Sequence, residues 1–248
     1  MKTIDGIGLT DVQAVYSGAE GKLWELVMGE QIHIGGLTSS LDLVQRAAIS
    51  EGASGVDLCC CNGAGMRFLL SFARVAMMTG VDATRTVVDQ GIERCEAEGL
   101  ADKTNFILAD ACETMLPDDA ADFVWGEDAW CYVSDKPALI AEAARIARPG
   151  GTIAFTDWVE GPAGLSDSEA QRFLTFMKFP NIQDIEGYST LLTDNGCNVK
   201  IAEDTGRFAP HVDLYLNMLN MQLTYDALKI IDFDMELMGA MGAEMQFM

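Results

Sequence analysis

Asp57, Asp82 and Asp110 are three carboxylates spaced 25 and then 28 residues apart. Asp57 lies inside the apolar run Gly55-Val56-Asp57-Leu58-Cys59-Cys60. Asp82 closes Met77-Met78-Thr79-Gly80-Val81, and Asp110 closes Asn105-Phe106-Ile107-Leu108-Ala109. A carboxylate at the end of a buried strand can accept hydrogen bonds from both hydroxyls of a ribose. After Asp57 the chain runs through a turn of small residues, Cys59-Cys60-Cys61-Asn62-Gly63-Ala64-Gly65. Phe68, Leu69, Phe72, Ala73 and Ala76 then recur at helical spacing. A strand, a tight turn and a helix in that order aim the turn's amides and the helix N-terminus at the crevice beyond the strand ends. The turn alone would equally suit an ordinary strand-to-helix connection. Three strands with a carboxylate at or near each end favour a ligand cradle.

The elements that must hold these residues alternate along the chain. Residues 11–30 carry Val12, Val15, Leu23, Trp24, Leu26 and Val27 at helical spacing, interrupted by Gly18 and Gly21, which predicts two short helices. A helix is expected over 37–50 with Leu41, Val44 and Ala48 on its buried face. A strand follows at 55–60, a helix at 64–76, a strand ending at Asp82, and a helix at 84–98 built on Val88, Ile92 and Cys95 that stops at Gly99. Further strands are expected at 105–109 and 121–126. A helix follows at 137–147, and Arg148-Pro149-Gly150-Gly151 forms a turn before a strand at 152–158. Helices at 168–178 and 186–194 flank Pro180, and a sixth strand is expected at 198–203. The tail is helical and methionine-rich, a pattern of adaptable core or dimer surface. The expected fold is α/β, a doubly wound and mostly parallel sheet, as one domain over 1–248. Lid helices occupy 1–50, the cofactor-binding core 51–160, and a cap insertion, a late strand and C-terminal helices 161–248.

This pattern resembles the S-adenosylmethionine (SAM) binding core of class I methyltransferases, over roughly residues 12–205. The resemblance implies a Rossmann-like methyltransferase fold and SAM as cofactor. It places Asp57, Cys59, Cys61 and Gly63 in the cofactor turn. Asp82 with Ala83 falls at the ribose, and Asp110 with Ala111 at the adenine. Gly126-Glu127-Asp128-Ala129-Trp130 matches the fourth motif, which adds Glu127 and Ala129. The stretch containing Tyr16, Trp24 and Ile32-His33-Ile34-Gly35 is similar to a lid over the methionine end, which adds Tyr16, His33, Ile34 and Gly35. One departure stands out: Cys59 and Cys61 occupy the first two glycine positions of the family turn, where a Cβ crowds a backbone that must approach the ligand.

Methyl transfer from a sulfonium requires alignment rather than a nucleophilic side chain or a metal. The sequence has no G-x-S-x-G, H-E-x-x-H or P-loop motif, and only two histidines. For positioning the acceptor the sequence offers Trp130, Tyr132, Tyr188 and Lys178, with Trp158, Phe176 and Arg207 as further candidates. Aromatic faces suit a methylated ammonium, and a lysine or arginine suits a carboxylate. The lid stretch, Asp128-Ala129, Asp135-Lys136 and Thr156-Asp157 together look most like sarcosine/dimethylglycine N-methyltransferases. That resemblance implies N-methylation of a small amino acid towards betaine. The alternatives are a SAM-binding protein without transfer activity, such as a sensor or pseudoenzyme, or a methyltransferase for a small thiol or another acceptor.

Composition bounds the partners. The net charge of −22, from 38 acidic and 16 basic residues, argues against nucleic acid and anionic membranes. It suits solubility or a salty cytoplasm. Met1-Lys2-Thr3-Ile4-Asp5 lacks a signal-peptide core and no apolar run is long enough to span a bilayer, so a cytoplasmic protein is expected. Seven cysteines without a C-x-x-C pair read as reduced thiols, not as a disulfide framework or a metal site. Three adjacent cysteines on a strand would point alternately, which disfavours chelation of one ion. The expected partner is a small-molecule methyl acceptor, with a homodimer through the C-terminal helices as a further expectation.

Overall fold

The computed structural model describes residues 1–248. After a short strand β1 (Lys2–Thr3), the chain forms helices α1 (Leu9–Ser17), α2 (Ala19–Met28) and α3 (Gly36–Ala47). The central alternation is β2 (Ser54–Leu58), α4 (Ala64–Phe72), β3 (Met77–Asp82), α5 (Arg85–Ala97), β4 (Thr104–Leu108), β5 (Ala121–Glu127), α6 (Lys136–Ile146) and β6 (Ala147–Thr156). The remainder is α7 (Asp167–Met177), β7 (Asn181–Ile182), α8 (Ile185–Asp194), α9 (Phe208–Asn220), α10 (Thr224–Ile230) and α11 (Met235–Phe247).

Five strands form one all-parallel sheet in the order β4-β3-β2-β5-β6. Parallel neighbours need crossover helices, and these bury both faces of the sheet. On one face Val56, Leu58, Val81 and Val124 pack against Leu139, Ile140, Ala143 and Ile146 of α6 and Tyr188 of α8. On the other, Phe123, Trp125 and Met78 pack against Met66, Leu69 and Leu70 of α4, with Leu43, Val44 and Ala47 of α3 beside them. Gly55 permits this second layer, because a Cβ there would fall 2.2 Å from the Phe123 ring. A third layer caps the strand ends. In it α1 and α2 pack on α7 and on α9–α11, and β1 pairs antiparallel with β7.

Four expectations change. The chain breaks between α1 and α2 at Gly18, whereas Gly21 lies inside α2. In α3 the fully covered positions are Ser39 and Ser40, while Leu41 is exposed. In α5 the inward residues are Val87, Val88, Gly91 and Cys95, and Ile92 faces out. Residues 198–203 form no strand, so the sheet ends at β6. Only Val199 and Ile201 alternate there, too little apolar surface to secure an edge strand, and Ile201 is exposed. The Arg148–Gly151 turn is present as an irregularity within β6, where the pairing jumps from Ala121↔Ala147 to Phe123↔Thr152. The methionines of the tail divide. Met245 is buried, Met218, Met238 and Met241 pack against the core that contains it, and Met221 and Met235 are exposed.

One ion pair on α6, with its carboxylate buried and its arginine partly exposed, gives an acid-sensitive element. Glu142 of α6 accepts from Thr114 N at 2.8 Å and from Arg145 Nη2 at 2.7 Å. The Arg145 hydrogen bond, helped by those from Thr114, holds the Glu142 carboxyl down at about 2. A depressed carboxyl contributes stability above its unfolded value near 4.5 and loses it as pH falls through about 2. Discounted for the half-exposed Arg145, the contribution is on the order of 2 kcal/mol. Glu142→Gln should therefore be less stable at neutral pH and show a flatter stability profile from pH 4.5 to 2 in denaturant titrations. An unchanged profile would remove Glu142 from the acid response.

Candidate active site

The carboxyl ends of β2, β3, β4 and β5 open on one cavity of about 380 Å3, within the range of small-ligand sites. Its floor is the cysteine turn. Cys59 (φ 63°), Cys61 (φ 47°) and Gly63 (φ 72°) all adopt the left-handed conformation, so the backbone takes a glycine-like path with two Cβ atoms in place. Neighbouring strands secure it. Cys59 N and Cys60 N donate to Val81 O at 2.8 and 3.1 Å, and Cys61 N donates to Asp82 Oδ2 at 2.9 Å. Asp82 Oδ1 accepts from Thr84 N at 2.8 Å, fixing the start of α5. Asp82 is thus a brace for the turn as well as a cavity wall, and each of its oxygens keeps lone-pair capacity for a ligand hydroxyl.

Charge in the cavity is one-sided. Asp57 is buried, and burial pushes its carboxyl well up, with Glu127 and Asp82 adding to the shift. Burial also raises Asp82, against the hydrogen bonds from Thr84 and Cys61. Glu127 is raised by burial, against the pull of His33 and of its donors Ser40 Oγ (2.9 Å) and Trp125 Nε1 (3.1 Å). Clustered buried carboxylates are relieved by a ligand that brings positive charge. Burial likewise raises the thiols of Cys59, Cys60 and Cys61, Cys61 beyond the ordinary thiol range, so they stand as neutral S–H groups and not as nucleophiles.

A roof closes the cavity. In α1, Gln13 Nε2 donates to Ala83 O at 2.7 Å, and the Tyr16 hydroxyl donates to the Tyr132 hydroxyl at 2.9 Å, their rings edge to face. Ile34 N donates to Asp128 Oδ2 at 2.8 Å, which ties the lid to the end of β5. Asp128 is itself left-handed (φ 50°), an uncommon state for a residue with a Cβ and one found at sites the surroundings over-determine. His33 is buried in the wall. Its Nε2 lies 3.1 Å from Ser40 Oγ and 3.5 Å from Glu127, and its Nδ1 has no partner.

Of the residues expected at the cofactor, Tyr16, His33, Asp57, Cys59, Cys61, Asp82, Ala83, Asp110, Ala111, Glu127 and Ala129 line this cavity. Ile34, Gly35 and Gly63 do not. Ile34 is buried among Leu23, Val27 and Tyr215, Gly35 N donates to the Tyr215 hydroxyl, and Gly63 caps α4 beneath Phe106. Of the expected acceptor residues only Tyr132 reaches the cavity. Trp130 lies in the core, stacked on Phe155. The Tyr188 hydroxyl donates to Asp157 below β6 and faces a separate outer groove. Lys178 ends α7, where its Nζ donates to Thr175 O. Trp158 and Phe176 pack with the cap, and Arg207 is paired with Asp42. Gln13 and Ser40 have roles the sequence did not flag, because each acts through a partner 70 or more residues away; for Asp128 the sequence showed the motif but not its bond to Ile34 N.

The residues present fit SAM. An unpartnered buried nitrogen, a braced turn and an acidic wall suit a ligand with a ribose, an ammonium and a sulfonium. Cys61→Gly tests the departure in the turn. Because Cys61 is left-handed, glycine relieves strain of roughly 1 kcal/mol there, which offsets the entropy it adds to the unfolded chain. The variant should melt no lower than wild type and bind SAM at least as tightly. Lost turnover with SAM binding intact would assign the thiol a chemical role.

Comparison with known proteins agrees with this geometry. Residues 56–155 match the methyltransferase domain family. Phosphoethanolamine N-methyltransferase 1 of Arabidopsis thaliana is 25% identical over 201 residues, which cover 81% of this chain and 39% of that protein. The chain thus spans about two fifths of that relative's length. Two solved structures share the fold. One is a phosphoethanolamine N-methyltransferase 2 from Haemonchus contortus, in complex with phosphomonomethylethanolamine and S-adenosylhomocysteine. It has a TM-score of 0.82 and 19% identity, covering 94% of this chain and 54% of that one. The other is a candidate sarcosine dimethylglycine methyltransferase from Galdieria sulphuraria. It has a TM-score of 0.76 and 20% identity, covering 87% and 89%. No helix of the protein is long and apolar enough to cross a membrane.

Proposed function

We propose that this chain, a class I SAM-dependent methyltransferase by its domain and fold, methylates the nitrogen of a small amine, with sarcosine and dimethylglycine as the acceptors to try first. The observation that carries the reading is the carboxylate-walled cavity at the ends of β2–β5, roofed by the hydrogen-bonded tyrosines Tyr16 and Tyr132. Bound SAM supplies a methyl group already made electrophilic by its sulfonium. The chain's own residues bind and align. Asp82 holds a ribose while bracing the turn. Asp110 and Ala111 flank an adenine, and Asp57 offers charge to an ammonium. Tyr16, Tyr132 and the Ile34–Asp128 bond exclude water and orient an amine lone pair. Alignment alone supplies a large part of such a barrier reduction.

The test is incubation with SAM and a panel of small amines, thiols and carboxylates, with methylated products identified by mass spectrometry. The expected product is an N-methylated amine. Methylation of thiols alone would replace this reading, and SAM binding without any product would make the chain a SAM-binding protein without transfer activity.

A further inference from the structure

We propose that Asp157, which lies outside the cavity, is a positioning residue: it holds the turn after β5 from behind and so keeps Tyr132 aimed at Tyr16 in the roof. The inference rests on the site described above and names the group that keeps its roof in place.

Tyr132 ends a single 3-10 turn, Trp130–Tyr132. The turn's own bonds are few: Tyr132 N donates to Ala129 O at 3.2 Å, and Val133 N donates to Trp130 O at 3.0 Å. One short turn of this kind does not fix its own direction. The direction comes from partners behind the cavity wall. Asp157, the first residue after β6, accepts from Cys131 N at 2.9 Å through Oδ1. Lys136 of α6, fully buried, donates from Nζ to Cys131 O at 3.3 Å and to Val133 O at 2.6 Å. The backbone on both sides of Tyr132 is therefore held, by two side chains that do not line the cavity.

Asp157 is the point where this clamp can be released. Its other oxygen accepts from the Tyr188 hydroxyl of α8, and both residues line the outer groove, which gives a proton a route in. Burial pushes the Asp157 carboxyl up to about 6, against Lys136, the Tyr188 hydroxyl and Cys131 N, with Asp128 adding to the rise. The facing thiols of Cys59 and Cys131 are held neutral by burial. A proton arriving from the groove adds to the oxygen that faces Tyr188, whose O–H must then turn from donor to acceptor. The bond from Cys131 N loses its charge assistance, and Lys136 loses the carboxylate that acts most strongly on it. The clamp is complete above about pH 6 and loosens below it.

The test is NMR of protein carrying tyrosine isotope-labelled at Cζ, titrated from about pH 4.5 to 8. The chain has five tyrosines, few enough for Tyr132→Phe to assign the signal. The Tyr132 signal should move with a midpoint near 6. In Asp157→Asn that step should be absent, although the cavity carboxylates are unchanged. In Tyr188→Phe the midpoint should rise by about half a pH unit or more, because a bond that favours the charged carboxylate is gone. A residue with a purely structural role would not shift that midpoint. A step that survives Asp157→Asn, a midpoint unmoved in Tyr188→Phe, or a wild-type signal that stays still near pH 6 overturns the proposal. With the acceptor identified by the panel, Asp157→Asn should lower kcat roughly tenfold or more at neutral pH and leave KM for SAM within about twofold. An unchanged kcat also overturns it. A panel that yields no methylated amine removes the amine reading alone, and the NMR titration then decides the role of Asp157.

Discussion

Asp82→Ala is expected to weaken SAM binding at least tenfold and to leave the overall fold in place. Asp82 closes β3, and its two oxygens accept from Cys61 N and Thr84 N. Removing the carboxylate leaves both donors without their partner, frees the turn that forms the cavity floor, and deletes the acceptor proposed for the ribose hydroxyls. A hydrogen bond to a charged group contributes roughly 1.5–3 kcal/mol, so one such loss already accounts for the tenfold change. The sheet itself is held by Met78, Val81 and their neighbours, which the substitution does not touch. Titration calorimetry with SAM and S-adenosylhomocysteine, beside circular dichroism, is the measurement. Asp82→Asn sharpens it: an amide keeps one acceptor but aims N–H groups at a backbone N–H, so it should rescue little. Affinity equal to wild type in both variants would dissociate Asp82 from the cofactor.

The parts of the site that were legible in the sequence share a physical reason. Asp57, Asp82 and Asp110 stand out because a carboxylate inside or at the end of an apolar run conflicts with burial, and such conflicts survive where a ligand resolves them. The five strands of the sheet were legible from the same runs, and β3 spans Met77–Asp82 as its run of residues does. What failed did so where one residue's direction decides. Residues 198–203 carry the alternation of a strand but lack the apolar surface to dock as one. Which side of the β5 turn faces the cavity is set by the left-handed Asp128 and by packing, and neither leaves a periodic mark. The roof was legible as helices and, through the resemblance, as a lid carrying Tyr16 and His33. Its closing contacts, Gln13 to Ala83 and Tyr16 to Tyr132, join residues 70 and 116 positions apart. The cysteine turn lies between these cases. Its small residues were visible, but the left-handed backbone at Cys59 and Cys61, which keeps the glycine-like path, was not.

Trp130→Ala is expected to act on stability and not on the acceptor. The side chain is 0% exposed in the core between the sheet and α6, and its ring stacks on Phe155 with centroids 4.1 Å apart. Its Nε1 donates to Leu58 O at 3.3 Å, and the indole lies so close over Gly126 that a Cβ there would meet Nε1 at 2.3 Å. Truncation to alanine removes this packing, leaves a cavity under the strand that leads into the cofactor turn, and strips Leu58 O of its indole donor. Buried tryptophan-to-alanine changes cost about 3–5 kcal/mol, a large fraction of the roughly 5–15 kcal/mol that holds a domain together. At about 2–4 °C per kcal/mol for a chain of this size, the melting temperature should fall by roughly 6–20 °C. Trp130→Phe should recover much of that loss, because the stacked ring is kept and only the indole donor is missing. In the folded fraction at low temperature, KM for SAM and for the acceptor should move little and by similar factors. A variant that melts like wild type yet raises the acceptor KM alone would return Trp130 to the acceptor site, and would mean that the turn after β5 rotates when ligand binds.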